Sequence, residues 1–238
     1  MSTERLYLDY TDGKQTLSQL STRYGISVST IQRRLREIRT QRVIYKDKDV
    51  VVPMDASYWE HNFGVLVFKD AHRGKILWRK FLSKRETRLD YMEGVMWLEE
   101  NGFRIKGVVI DGLKGLAQMF NKYPVQLCQF HQVKNVVTYL TKRPELEASK
   151  ELLTLVYMLC HTDKESFIGQ FEEWVSRWDS FLKERSRDAA TGKTRYTHSR
   201  LRSAYLGLKR NMKLLWTWYD NPVLRIPNTN EITCFNLV

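Results

Sequence analysis

Ile105-Lys-Gly-Val-Val-Ile-Asp111 is an almost unbroken apolar, β-branched run that stops at a carboxylate, with Gly112 directly after it. A run this short, bounded by glycines at Gly102 and Gly112, is too brief for a helix and reads as a buried strand. Its last residue matters most, because an aspartate at the end of a buried strand is held at a sheet edge.

Upstream, the same texture recurs. Val50-Val-Val-Pro-Met-Asp55, Gly64-Val-Leu-Val-Phe68 and Lys75-Ile-Leu-Trp-Arg-Lys-Phe81 are strand-like runs separated by polar turns such as Lys69-Asp-Ala-His-Arg-Gly74. They predict an antiparallel meander whose first strand ends at Asp55. A helix is expected from Glu86 to Asn101, with Leu89, Met92, Val95 (or Met96) and Leu98 spaced for burial and Gly102 as its stop. Downstream, Gly112–Phe120 reads as a helix and Pro124–Cys128 as a further strand. The order β-β-β-α-β-α-β is that of the ribonuclease H-like α/β fold. In that fold the strands carrying Asp55 and Asp111 are neighbours, which would bring two hard oxygen donors together as Mg²⁺ or Mn²⁺ requires.

Residues 132–220 read as helical. Phe167, Phe171, Trp174, Trp178, Phe181 and Leu182 recur at helical spacing and read as packing residues. Arg185 to Arg195 reads as a polar, charged loop, followed by a basic helix from about His198 to Leu215.

The N-terminal stretch has a different pattern. Leu17 and Leu20 mark the inner face of one short helix, and Ile31, Leu35 and Ile38 that of a second. Small Ser21 permits close approach, Gly25 allows a sharp bend, and Ser27 is a good N-cap for the second helix. This all-α pair reads as a helix-turn-helix. Ser29, Thr30, Gln32, Arg33 and Arg36 would point outward from its second helix, where they suit base edges and phosphates. The expected division is an arm over 1–45, a catalytic core over 46–135 and a helical insertion over 136–225. The start of the C-terminal part of the core would follow over 226–238.

Charge agrees with a polyanionic partner. Thirty-nine Lys and Arg against 27 Asp and Glu leave a formal charge of +12, which attracts nucleic acid. The sequence offers no apolar stretch for a secretion signal or membrane span. Its three cysteines (Cys128, Cys160, Cys234) lack a Cys-x-x-Cys spacing, which reads as a reducing cytoplasm.

Longer motifs carry a family resemblance. Val108-Val-Ile-Asp-Gly-Leu-Lys-Gly-Leu-Ala-Gln-Met-Phe120 with Pro124-Val-Gln-Leu-Cys-Gln-Phe-His131 resembles the second-aspartate and Cys-x-x-His blocks of mutator-like transposases of bacterial insertion sequences. Met54–Tyr58 resembles their first-aspartate block. Tyr139–Leu146 and Tyr196–Tyr205 resemble their helical insertion, and Arg225-Ile-Pro-Asn-Thr-Asn230 the approach to their third acidic residue. The resemblance implies metal-dependent cleavage of element ends and strand transfer, with Asp55 and Asp111 as ligands of Mg²⁺ (or Mn²⁺). It also implies binding to terminal repeats and target DNA, and synapsis of two ends would call for self-association.

Thr233 occupies the position where the family carries its third acid. Glu231 is the nearest carboxylate and the candidate third catalytic residue, and the pattern reads as incomplete at the C-terminus. Cys128 and His131 would lie at the active-site edge. A zinc site would need four ligands, and Cys160-His161 is the only other such pair. A non-catalytic, sequence-specific DNA-binding protein, a transposase remnant or a repressor, stays open as the alternative.

Overall fold

The structure, a computed structural model, describes residues 2–11, 13, 15–37, 48–59, 63–187 and 192–230. The chain divides into two compact units, Met1–Asp47 and Lys48–Val238.

Among its described residues the first unit has three helices: α1 (Thr3–Thr11), α2 (Leu17–Tyr24) and α3 (Val28–Glu37). Thr16 and Gln19 close a reciprocal capping box at the start of α2, and Gly25 ends it at φ +62°. The Ser27 hydroxyl accepts the Thr30 backbone N–H at 3.2 Å and so starts α3. Leu6, Leu20 and Ile31 are fully buried against one another, with Leu17 and Leu35 packed around them. Two helices were expected, and α1 is a third. Only Leu6 of its apolar side chains is buried, while Leu8 and Tyr10 are exposed, so its periodicity is too weak to read. Ile38 lies outside the described residues.

The second unit is mixed α/β. Its strands are β1 (Asp49–Trp59), β2 (Phe63–Lys69), β3 (Ile76–Leu82), β4 (Arg104–Ile110) and β5 (Val125–Leu127), in the order β3-β2-β1-β4-β5. β1, β2 and β3 pair antiparallel, while β1–β4 and β4–β5 are parallel. The central strand β1 therefore joins the meander to the parallel half. It runs four residues past Asp55, which is a mid-strand residue and not a strand end as the sequence implied. The cause is pairing with β2, which continues through Trp59↔Phe63 after parallel pairing with β4 has stopped at Pro53↔Val109.

Between β3 and β4 comes α4 (Arg88–Glu100). It buries Tyr91, Gly94, Val95 and Leu98, whereas Leu89, Met92 and Met96 are exposed. The helix carries apolar residues on two faces, and spacing alone selected partly the wrong one. Gly94 marks the correct face, because a Cβ there would meet the Phe68 ring at 2.5 Å and Trp78 at 2.7 Å. Only a glycine lets the helix approach the sheet this closely. After β4, Gly112–Phe120 is not one helix. Gly115 adopts φ +84°, and only α5 (Leu116–Met119) is helical.

The helices α6 (Gln129–Leu140), α7 (Glu147–Met158), α8 (Lys164–Lys183), α9 (Ser199–Leu215) and α10 (Thr217–Asp220) follow. Phe167, Phe171, Trp174 and Leu182 of α8 are buried as expected, and Trp178 and Phe181 half-buried. The end of this helical layer is fastened to the edge strand β5. The buried side-chain amides of Gln126 and Gln129 both donate to the Leu215 carbonyl, at 2.9 and 3.0 Å, and the Gln126 oxygen accepts the Trp218 N–H at 2.9 Å. Thr217 adds a bond to the Val125 carbonyl at 2.6 Å. This cover protects the edge strand. Arg185–Arg195, expected as a loop, instead contains a two-stranded ribbon, β6 (Arg185–Arg187) and β7 (Thr194–Tyr196). No helix among the described residues is long and apolar enough to cross a membrane.

Candidate acidic site on the central strands

Asp55 lies on β1 two residues beyond Pro53, and Asp111 lies two residues beyond Val109, directly after the last residue of β4. Alternation along β1, continued one residue past β4, turns both carboxylates toward the same face, where both act on Tyr91. Asp55 is only 4% exposed. Asp111 is half-buried, and one of its oxygens accepts the Leu113 N–H at 3.1 Å, which turns the chain off the strand.

The helix α6 begins directly after β5 and brings His131 to this face, with Nε2 4.0 Å from Asp55 Oδ1. The Nδ1 atom of His131 is buried without a hydrogen-bond partner among the described residues. Cys128 packs with Val51, Val109 and Ile226, and its sulfur accepts the Asn230 N–H at 3.3 Å. Asn230 is itself buried and donates to the Met54 carbonyl at 2.9 Å, beside Asp55.

Burial pushes the Asp111 carboxyl above its ordinary pKa, and the negative charge of Glu86 adds to the shift. The Leu113 N–H and His131 pull the other way without cancelling it. Buried carboxylates disfavour their charged form and gain from a nearby cation. Asp70 shows the contrast. It is fully buried, yet it accepts two backbone N–H bonds in its own turn and pairs with Arg73 at 2.7 Å. Its charge is already answered by structure, so it is a turn residue.

Three residues that the sequence did not single out surround the pair. Tyr91 of α4 is fully buried, its hydroxyl has no partner among the described residues, and its pKa is pushed far up by burial and then by Asp111, Glu86 and Asp55. Tyr58 donates to Glu86, accepts the Glu86 backbone N–H at 2.6 Å, and has its pKa pushed up to about 12, chiefly by burial. Glu86 precedes α4 in an irregular segment, where no periodicity could have flagged it.

The other expected residues fall elsewhere. Ser29, Gln32 and Arg33 are exposed on α3, and Thr30 is half-buried; the Ser29 and Thr30 hydroxyls lie 3.0 and 2.9 Å from that of Ser27. The side chain of Arg36, and the whole of Glu231 and Thr233, lie outside the described residues. Among the described residues, no group of three or more His, Cys, Asp or Glu is placed to hold a metal ion.

No family model matches this chain, and no curated protein does. Among solved structures it is similar to a chain of a cryoEM structure of the simian T-cell lymphotropic virus intasome in complex with PP2A regulatory subunit B56 gamma. That likeness has 8% identity and a TM-score of 0.26, covering 68% of this chain and 69% of that one. At that TM-score it bears on neither fold nor function.

Proposed function

We propose that the chain is an insertion-sequence DNA transposase that acts by divalent-metal-dependent phosphoryl transfer on a ribonuclease H-like core. The observation that carries this reading is the alignment of Asp55 and Asp111 on one face of adjacent central strands. The strand order, with β1 beside β4, and the motif resemblance around both aspartates support it. Exposed Gln32 and Arg33 on α3 support a role for the first unit in binding element ends, in the cytoplasm.

The residues present fit Mg²⁺ or Mn²⁺. Asp55 and Asp111 offer two hard oxygen donors, and burial raises the Asp111 pKa, a shift that a nearby cation would offset. When bound, the cation lowers the pKa of an attacking water or 3′-hydroxyl and stabilises the leaving oxygen. His131 stands at the edge of the pair, its Nε2 4.0 Å from Asp55 Oδ1. Glu231, the candidate third catalytic residue, lies outside the described residues; Asn230, directly before it, is anchored on the Met54 carbonyl.

Mn²⁺ titration followed by electron paramagnetic resonance tests the reading. One site should disappear in Asp55→Asn and in Asp111→Asn and weaken in Glu231→Gln, with folding retained. Metal-dependent nicking of duplex carrying the element's ends should follow the same order. Mn²⁺ binding unchanged in both aspartate variants would place the site elsewhere.

A further inference from the structure

The β6–β7 ribbon carries Arg185, Arg187, Lys193 and Arg195, all exposed. No ion pair joins any of these four to a carboxylate among the described residues. The pairing register is Arg185↔Tyr196, Ser186↔Arg195 and Arg187↔Thr194. Strand alternation then sets Arg185 and Arg187 on one face of the ribbon and Arg195 on the other, with Lys193 directly before β7.

A short ribbon in isolation is marginal, and this one is braced at its foot. Arg185 and Arg202 both lie over the Tyr196 ring, 4.6 and 4.0 Å from its centre, and Arg185 donates to the Tyr196 hydroxyl at 3.0 Å. His198 stacks on Phe181 at 3.7 Å and contacts Glu184 at 3.0 Å, while the Thr197 N–H bonds the Glu184 carbonyl at 3.0 Å. Beside the foot lies a cleft of about 450 Å³ whose walls include Arg143, Thr197 and Arg200.

We infer that this ribbon is a second DNA-contact element, which enters a groove of duplex DNA and neutralises phosphates on both walls. Cations on one face only would suit a flat anionic surface. Cations on opposite faces suit a slot with negative charge on both sides. A major groove about 12 Å wide and 8.5 Å deep admits a two-stranded ribbon, and three residue pairs at about 3.4 Å each span roughly 10 Å. None of the ribbon's cations reads a base edge in this arrangement, so the contact is sequence-independent and salt-sensitive.

The inference shares with the proposed transposition only its polyanion, and the two fail separately. The test is fluorescence anisotropy of the full chain with a random-sequence duplex of about 25 base pairs, titrated with salt. Replacing Arg187, Lys193 and Arg195 together by alanine should lower the slope of log K against log salt by about 2–3, at roughly 0.9 per phosphate lost. At about 0.15 M salt that corresponds to a weakening on the order of 100-fold. The paired variant Arg187→Lys with Arg195→Lys should keep the parent slope, which separates lost charge from lost fold. Mn²⁺ binding in the Asp55→Asn and Asp111→Asn variants is read separately, in the absence of duplex. Three results would overturn the inference: no duplex binding by the parent, an unchanged slope in the triple variant, or tighter ribbon-dependent binding of RNA than of duplex DNA.

Discussion

Asp55 stands on β1 and Asp111 directly follows β4, two strands with hydrogen-bonded neighbours on both sides, whereas Arg185, Arg187 and Arg195 stand on two short strands that pair with each other. The negative charges are fixed where water is scarce, and burial raises the Asp111 pKa as a result. The positive charges are placed where water is plentiful. A charge held in a dry, rigid setting works against the apo fold and gains strongly from a cation at a defined point. A charge in water costs the fold little and suits a long, uniform polyanion.

The largest effect should come from loosening what braces the sheet beside the acidic pair. Gln126→Leu removes the acceptor of the Trp218 N–H and one of two donors to Leu215, leaving a buried donor unanswered at a cost of about 1–3 kcal/mol. In scanning calorimetry each kcal/mol lowers the thermal midpoint by roughly 2–4 °C in a chain of this size. An unchanged midpoint would mean that the helical layer is held by apolar packing around Trp216 alone.

The second effect separates the two regions by pH. The folded pKa of Asp111 lies above its ordinary value of 3.8, so between those values the folded state holds a proton that the unfolded state has released. Stability linked to this group is present below pH 3.8 and is lost as pH rises through the raised folded pKa. Asp111→Asn should therefore raise the thermal midpoint of the metal-free protein at neutral pH, with the gain vanishing in acid. Mn²⁺ should raise the midpoint of the parent and leave the variant where it was. A variant less stable than the parent at neutral pH would show that Asp111 already has a compensating partner in the apo fold.

Tyr91→Phe should have a smaller effect. Its hydroxyl is buried beside the carboxylates with no partner among the described residues, so removing it should leave stability unchanged or increase it by up to about 1 kcal/mol. Chemical denaturation gives the sign, and a loss larger than this would reveal that the hydroxyl is bonded in solution.

The same contrast explains what could be read from the sequence. The strands of Val50–Val52 and Val108–Ile110 were legible because burial on both faces leaves an apolar run, and the two aspartates were legible because they interrupt such runs. Helix α4 was half legible. Its presence was clear, but Leu89 and Met92 competed with Tyr91 and Gly94 for the buried face, and only the Phe68–Gly94 contact settles the choice. Glu86 had no pattern, since it serves the site from a loop, by tertiary placement. The ribbon was illegible because all of its cations face water, and period-two alternation needs an apolar face to show. In α3 the exposed Ser29, Gln32 and Arg33 could be named from the turn chemistry of Gly25 and Ser27, two local signals that do not depend on distant contacts, whereas Thr30 is half-buried.

The smallest expected effect on stability is on the ribbon itself, and it bears on the comparison as much as the largest does. Arg187, Lys193 and Arg195 are exposed, and none meets a carboxylate among the described residues; Arg187 makes only a 3.2 Å bond to the Gly192 carbonyl. The bracing contacts involve Tyr196, Arg185, Arg202, His198 and Phe181. Replacing the three cations by alanine therefore leaves the foot intact and removes mutual repulsion, and the midpoint should stay within about 1–2 °C of the parent, the range of ordinary surface substitutions. Tyr196→Ala is the counterpart, since it takes away the ring on which two arginines rest while keeping every cation of the ribbon. If charge alone matters, Tyr196→Ala should keep the parent's salt slope; if the cations must be held on opposite faces, it should lose much of it. A triple alanine variant that melted well below the parent would show that the cations support the fold itself, and would erase the difference between the two regions.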